Sequence, residues 1–400
     1  MIYLQQPSLV SAMGDSLKAN IDFLLSNQPH PLQQSQKWIE NRSIFVGNTP
    51  NLQDLPENTA EIYRTRNNQL LWTAVLQLDA QIRQAIKKYG KDRIAVIIGT
   101  TNTGNEENVP AFQQHATQQN WQNSNYCHEF QLLSSPADFI AVHYGLTGPS
   151  YSISTACTSG ARAIISAERL LKADLCDVVI CGGVDSLAQL AINGFHTLEA
   201  LSQSVANPFS ANRDGINIGE GAAVFLATRE PNGLPLLGYG SSSDAYHMSA
   251  PIPDGSGAIS AISTALSSAG IAEEQIGWVN LHGTGTVHND AMESTAMAHC
   301  FPQGVPCTGT KALTGHTLGA AGAVEAAILW GIISREFNPE GKLPKQHWDN
   351  QPDTNLPAIQ LTDEHSRWAE NRPRIGLSSS FAFGGNNVIL VIGETECSYP

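Results

Sequence analysis

The segment STACTSGARAIISAERLLKAD (154–174) decides how the rest of the chain is read. Cys157 lies between a short β-prone run, 151–155, and a helical pattern. In that pattern Ile164, Ala167 and Leu171 share one face, and Glu168 with Lys172 makes an i,i+4 pair. Thr158, Ser159 and Gly160 suit a sharp entry into the helix. A cysteine at a helix N-terminus feels the positive end of the macrodipole and unpaired N–H groups, and both favour the nucleophilic thiolate. The competing reading is a small buried hydrophobe, the usual fate of a free cysteine.

Outward from this segment, buried-looking strands alternate with helices. The strand signature is IAVIIG (94–99), and it recurs at 177–183, 222–227, 278–283, 374–380 and 387–393. Helical patterns cover 68–88, 158–173, 258–269, 290–299 and 318–334. That alternation predicts an α/β architecture built on central sheets. Pro231 to Pro235 breaks the chain near its middle, which suggests halves 1–235 and 236–400. No internal sequence repeat supports the division. The first 90 residues are rich in Gln and Asn and give little pattern.

Composition narrows the function. The 400 residues carry 36 acidic and 22 basic side chains, a net charge of −14, which argues against a nucleic-acid binder. Only 14% of residues are charged, against roughly 25% in an average domain, so another subunit is expected to cover part of the surface. The low-charge run 317–334 contains Glu325 and reads as a buried helix, not a membrane span. No signal peptide is visible, and seven irregularly spaced cysteines point to reduced thiols and a cytoplasmic location.

Three more segments carry candidate chemistry. In VNLHGTGTVHND (279–290), His282 ends an apolar strand, the usual place for chemistry in α/β folds, and the Thr284 and Thr286 hydroxyls could line one wall. The plainer reading of His282 is a hydrogen-bonded turn residue. In TGTKALTGHTLGAAGAVEAAILWGI (308–332), Lys311 and His316 precede a small-residue helix in which Glu325 is the one charge. A buried Glu325 needs a partner, and Lys311 is the nearest cation on the N-terminal side. The alternative is an exposed turn of that helix. His316 stands where a P-loop needs Lys, so no phosphate cradle is expected, and a pyridoxal phosphate lysine is disfavoured with it. In SSSFAFGGNNVILVIG (378–393), Phe383-Gly384-Gly385 makes an aromatic, glycine-bearing loop before a buried strand.

The order Cys157, His282, Lys311, His316, Glu325, Phe383-Gly384-Gly385 resembles the elongating β-ketoacyl synthases of the thiolase superfamily. NPFSANRDGINIGEGAA (207–223) and the opening SLVSAMGDSLKANIDFLLS (8–26) are similar to family segments as well. The resemblance implies two stacked βαβαβαββ halves in a five-layer α-β-α-β-α fold, usually dimeric. It makes Cys157 the acyl acceptor. His282 and His316 become the groups that promote decarboxylation of malonyl on an acyl carrier protein. Backbone N–H groups of Cys157 and Phe383 become the oxyanion hole. By the same likeness Lys311 and Glu325 support His316, Thr284 and Thr286 contact the phosphopantetheine arm, and Phe383 with Gly384 forms the gate before the acyl pocket. Neither a metal nor a cofactor is implied beyond the carrier's phosphopantetheine.

Two histidines separate the chain from the initiating branch, which uses Cys-His-Asn. Val287, Ala382, Asn386 and the polar TTNTG turn (100–104), expected to border the acyl pocket, depart from housekeeping fatty-acid members. They look like the stand-alone ketosynthases of bacterial polyene pathways, aryl polyenes included. Three readings compete: an active condensing enzyme, a chain-length subunit of a heterodimer, and a thiolase acting on coenzyme A. The retained Cys157 disfavours the second, and the lack of a CxG motif, with Cys397 beyond the last strand, disfavours the third. The expected partners are an acyl carrier protein, met by a local Lys/Arg patch at the entrance, and a second subunit, either a homodimer or a chain-length-factor-like chain. Cys176 and Cys181 read as inert, Cys300 and Cys307 beside His299 as no zinc pattern, and His247 and His288 as surface or turn positions, with approach to the site as the alternative.

Overall fold

The computed structural model describes residues 1–26, 28–121 and 124–395. The strands form two sets with the same internal plan. In the first, Ser150–Ile153, Ile94–Gly99 and Val178–Asp185 run parallel, and Gly221–Thr228 pairs antiparallel with the last of them. In the second, Pro306–Gly309, Trp278–Leu281 and Ile375–Ala382 run parallel, and Asn386–Gly393 pairs antiparallel. The duplication that no sequence repeat showed is therefore present in the topology. Leu234–Ser243 extends the second set, and Ile2–Leu4 lies between Leu234–Leu236 and Ala227–Thr228, joining the two sets edge to edge.

Helices make the remaining layers. Ser159–Lys172 and Ala321–Ile333 pack against each other between the strand sets, within one core cluster that takes side chains from both. Their small residues allow close approach. A Cβ on Gly160 would lie 2.7 Å from the Ala323 nitrogen, and one on Gly322 would lie 2.8 Å from Ala161. Arg66–Leu76, Asp79–Tyr89 and Ser135–Tyr144 cover the outer face of the first set, while Ser256–Ala269 and Val287–Cys300 cover that of the second. The result is the expected five-layer α-β-α-β-α stack.

Two sequence expectations change in detail. The helical pattern over 68–88 is two helices, broken at Gln77 and Leu78, where Gln77 Nε2 donates to the Asp15 carbonyl at 2.9 Å. The unpatterned N-terminal part contributes a hairpin, Gln33–Ile39 with Arg42–Gly47, whose second strand pairs with Ile218–Gly219. Among the described residues no helix is long and apolar enough to cross a membrane.

Candidate active site

Parallel strands in each set end on the same side, and their following loops converge. Cys157 follows Ser150–Ile153, and His316 follows the equivalent strand Pro306–Gly309. His282 follows Trp278–Leu281, and Phe383 follows Ile375–Ala382. The matching topology thus brings the loop carrying the thiol against the loop carrying an imidazole.

The turn at Cys157 is held under strain. Ala156 has a φ of +52°, a left-handed conformation that costs an L-residue roughly 1–2 kcal/mol. Hydroxyls clamp it: Ser159 Oγ donates to the Ala156 carbonyl at 2.6 Å, and Thr158 Oγ1 to the Thr155 carbonyl at 2.7 Å. The expected sharp entry into the helix is therefore built by the residues singled out for it. The thiol itself differs from expectation. Burial pushes it up to about 11, and the Lys311 ammonium and the Phe383 N–H pull it only part of the way back. At rest the group is a thiol, because desolvation outweighs the nearby positive charge.

Both imidazoles have a fixed tautomer. His316 Nε2 lies 3.1 Å from Cys157 Sγ, and its Nδ1 accepts the Leu318 backbone N–H at 3.2 Å. His282 Nδ1 lies 3.1 Å from the Lys311 ammonium, which can only donate. Each ring therefore keeps its proton on Nε2. The rings stand 5.3 Å apart at 86°. Burial and the Lys311 charge hold both well below the usual imidazole range, so both are neutral. The Cys157, His282 and His316 donor atoms lie within 4.8 Å of one another, close enough to suggest a metal centre. The tautomers oppose that use: a ligating histidine normally gives its distal N–H to an acceptor, whereas here each distal nitrogen receives a hydrogen bond.

Lys311 and Glu325 sit immediately behind the rings. They form a fully buried ion pair, and Lys311 also donates to the His282 carbonyl at 2.6 Å. Burial pushes the Glu325 carboxyl up to about 7 against the pull of Lys311. The exposed-turn alternative for Glu325 is thereby excluded.

Two buried carboxylates support the His282 loop and escaped the sequence reading. Glu293 accepts the His282 and Gly283 N–H groups at 2.7 and 2.8 Å. Asp290 accepts the Phe209 and Gly285 N–H groups at 2.7 and 3.2 Å. Burial pushes them up to about 8 and about 6 respectively. Their signal in the sequence is the i,i+3 spacing of two acids directly after a glycine-rich loop.

A cavity of about 460 Å³ opens onto Cys157, His282 and His316. Thr284, Thr286 and Phe383 line it. The two hydroxyls are 2.9 Å apart, and the Phe383 ring packs 5.4 Å from that of Phe195. Gly384 does not line the cavity; it is exposed, has a φ of +86° and donates to the Met248 carbonyl at 2.8 Å. His247 and His288, read as surface positions, are exposed at the cavity wall. Among the described lining residues there is no lysine or arginine, while Glu199, Asp214 and Asp244 are present, so the expected basic patch is not in this wall. Cys176, Cys181 and Cys307 are buried, and burial raises all three thiols. Cys397 lies outside the described residues.

The family model of the β-ketoacyl synthase N-terminal domain matches residues 68–232, and that of the C-terminal domain matches 235–340. The chain belongs to the β-ketoacyl synthase family. It is 34% identical over 332 residues to the chloroplastic 3-oxoacyl-[acyl-carrier-protein] synthase II of Arabidopsis thaliana, covering 77% of this chain and 59% of the relative. It is also 34% identical over 289 residues to the mitochondrial 3-oxoacyl-[acyl-carrier-protein] synthase of the same plant, covering 66% of this chain and 60% of that one. The match thus spans about three fifths of these two relatives. Among solved structures it is similar to a chain of the complex between a ketosynthase (ApeO) and its chain length factor (ApeC) from Xenorhabdus doucetiae. That likeness has a TM-score of 0.91, 41% identity and coverage of 98% of both chains.

Proposed function

We propose that this chain is a β-ketoacyl-[acyl carrier protein] synthase, an acyltransferase that joins a Cys157-bound acyl chain to a malonyl unit with loss of carbon dioxide. The observation that carries the reading is the convergence of two Nε2–H groups with the Cys157 sulfur in one buried pocket.

In the first half-reaction the Cys157 sulfur attacks the acyl thioester of a carrier's phosphopantetheine. The new S–C bond forms, and the pantetheine thiol leaves with the cysteine proton. Backbone N–H groups of Cys157 and Phe383 hold the tetrahedral oxyanion, an arrangement supported by the Phe383 N–H directed at the sulfur. In the second half-reaction the malonyl thioester oxygen faces His282 and His316. The bond to the carboxylate breaks, carbon dioxide leaves, and the electron pair passes into an enolate whose oxygen takes both imidazole N–H bonds. The enolate carbon attacks the Cys157 thioester, the C–S bond to Cys157 breaks, the β-ketoacyl chain departs on the carrier, and the released sulfur takes a proton from solvent. Neutral rings with their protons fixed on Nε2 suit this role and support a reaction without metal.

Thr284 and Thr286 hold the phosphopantetheine arm, and Phe383 gates the acyl pocket. Residues 1–235 supply the nucleophile and 236–400 the histidines. The partners are an acyl carrier protein and a second subunit of the same fold, either a copy or a chain length factor as in the Xenorhabdus doucetiae complex. The substrate class is a fatty-acid or polyene chain, aryl polyenes included, and the location is cytoplasmic. A purely chain-shaping role fits poorly with an intact Cys157, His282, His316 and Lys311.

The test is intact mass after incubation with carriers bearing saturated, polyene and aryl-polyene chains, beside Cys157→Ala. A gain of one acyl group in wild type alone supports the proposal and names the preferred chain. No gain from any carrier, with or without a co-purified second subunit, refutes it.

A further inference from the structure

Asp185 has no role in the chemistry above. It ends the strand Val178–Asp185 and is fully buried. Its Oδ1 accepts Thr100 Oγ1 at 2.8 Å, the Thr101 N–H at 2.8 Å and the Asn102 N–H at 2.9 Å. Its Oδ2 accepts Thr101 Oγ1 at 2.5 Å and the Gly319 N–H at 2.6 Å. Five neutral donors thus surround one carboxylate, and among the described residues no ion pair reaches it. A buried acid kept at that cost of desolvation is fixing something.

What it fixes is visible at Gly319. A Cβ there would meet Asp185 Oδ2 at 2.6 Å, so the contact requires glycine. The preceding residue, Leu318, has a φ of +48° and gives its N–H to His316 Nδ1. Such a left-handed residue persists only when its surroundings hold it. On the near side the turn is anchored by the His316 N–H on the Asn217 carbonyl at 2.7 Å. On the far side the anchor is Asp185.

We propose that Asp185 is a positioning residue that fixes the His316 tautomer: by holding the Gly319 N–H it keeps Leu318 left-handed, its N–H on Nδ1, and the imidazole proton on Nε2 facing Cys157. The inference rests on the condensing role proposed for His316. The same carboxylate holds the backbone of residues 100–102, so the TTNTG turn and the His316 turn share one post.

The experiment compares wild type, Asp185→Asn and Gly319→Ala by ¹⁵N-histidine NMR, thermal melting, Cys157 acylation and steady-state condensation. In the asparagine variant one of the two carboxylate positions becomes an NH₂ group, which repels a donor. The expected result is a mixed tautomer for His316, a kcat for condensation about 10²-fold lower, as for loss of one oxyanion donor, and unchanged KM and acylation. Gly319→Ala breaks the same contact from the other side and is expected to reproduce each change. A folded Asp185→Asn protein with a pure Nε2–H tautomer, or with wild-type kcat, overturns the proposal. If that variant does not fold, Gly319→Ala decides by the same readouts. If neither folds, an Nδ1–H tautomer at His316 in wild type overturns the proposal, and an Nε2–H tautomer with a slowly exchanging Gly319 amide supports it. Wild-type protein that never accepts an acyl group refutes the condensing reading instead, whereas the tautomer is read without turnover.

Discussion

The Lys311 ammonium grips His282 at two points, the backbone carbonyl at 2.6 Å and the ring Nδ1 at 3.1 Å. Its remaining proton goes to Glu325, so three donors meet three acceptors in a buried site. The lysine therefore sets the His282 ring, and the carboxylate sets the lysine.

Removing the ammonium alone should be costly twice over. Lys311→Met leaves the buried Glu325 without its cation, so the carboxyl must take up a proton or stay charged in the interior, and breaking a buried pair in this way costs about 3–5 kcal/mol. It also frees the His282 Nδ1. The expected outcome is a large drop in melting temperature together with loss of condensation. Lys311→Met with Glu325→Gln removes both charges and should recover most of the stability but none of the rate. Thermal melts and condensation assays on the two variants check this. Recovery of rate in the double variant would show that the lysine is only structural.

The buried thiol predicts an unusual pH profile. Alkylation follows the thiolate, whose fraction rises tenfold per pH unit below the pKa. With the Cys157 thiol pushed up to about 11, iodoacetamide labelling should climb throughout the range from about pH 7 to 10 without a plateau. Peptide mass mapping separates Cys157 from the partly exposed Cys127. A plateau near neutrality would mean that the helix terminus and Lys311 outweigh burial. In Lys311→Met the same curve should move to still higher pH, because one of the charges favouring thiolate is gone.

Close approach of the two central helices depends on glycine. Gly160→Ala places a methyl 2.7 Å from the Ala323 nitrogen and 2.8 Å from its Cβ, so the helices must part. Overpacking of this kind costs typically about 1–3 kcal/mol. Chemical denaturation should show a lower midpoint with an unchanged slope. A variant as stable as wild type would mean that the helices shift freely.

The Phe383 side chain and backbone should separate by mutation. Phe383→Ala keeps the N–H directed at Cys157 but removes the ring packed on Phe195. Cys157 should still be acylated, with weaker discrimination among chains of different length. Competition between carriers bearing two chain lengths, read by intact mass, tests this. Loss of acylation itself would place the ring in the chemistry and not in the gate.

The residues that carry a local pattern were legible from the sequence. A β-branched run reads as a buried strand, and Ile94–Gly99 is one. Cys157, His282, Lys311, His316 and Glu325 come together because each stands at a strand end or in the helix behind it. What could not be read depends on distance through space. Asp185 looks like the polar end of a strand until Gly319 arrives from far along the chain. Asp290 and Glu293 look like ordinary helix acids until the His282 loop folds over them. The thiolate expectation failed for the same reason: a helix terminus is visible in sequence, but the burial that outweighs it is not. Gln33–Ile39 gave no strand signal because most of it is exposed and its side chains are polar.

The short strand Ile2–Leu4 is a stitch, and stitches set the order of assembly. It pairs with residues on both sides of the mid-chain turn, and the Leu4 carbonyl also receives the Trp330 indole N–H at 2.9 Å. During synthesis this segment leaves the ribosome long before any of those partners exists. It must wait, unpaired, until residues 227–236 have been made, and its contact with Trp330 forms only after the second helix of the central layer follows. The two halves are thus locked together late, by a segment made early, and a chain cut at the mid-chain turn should leave both sheet edges open to pairing with other molecules.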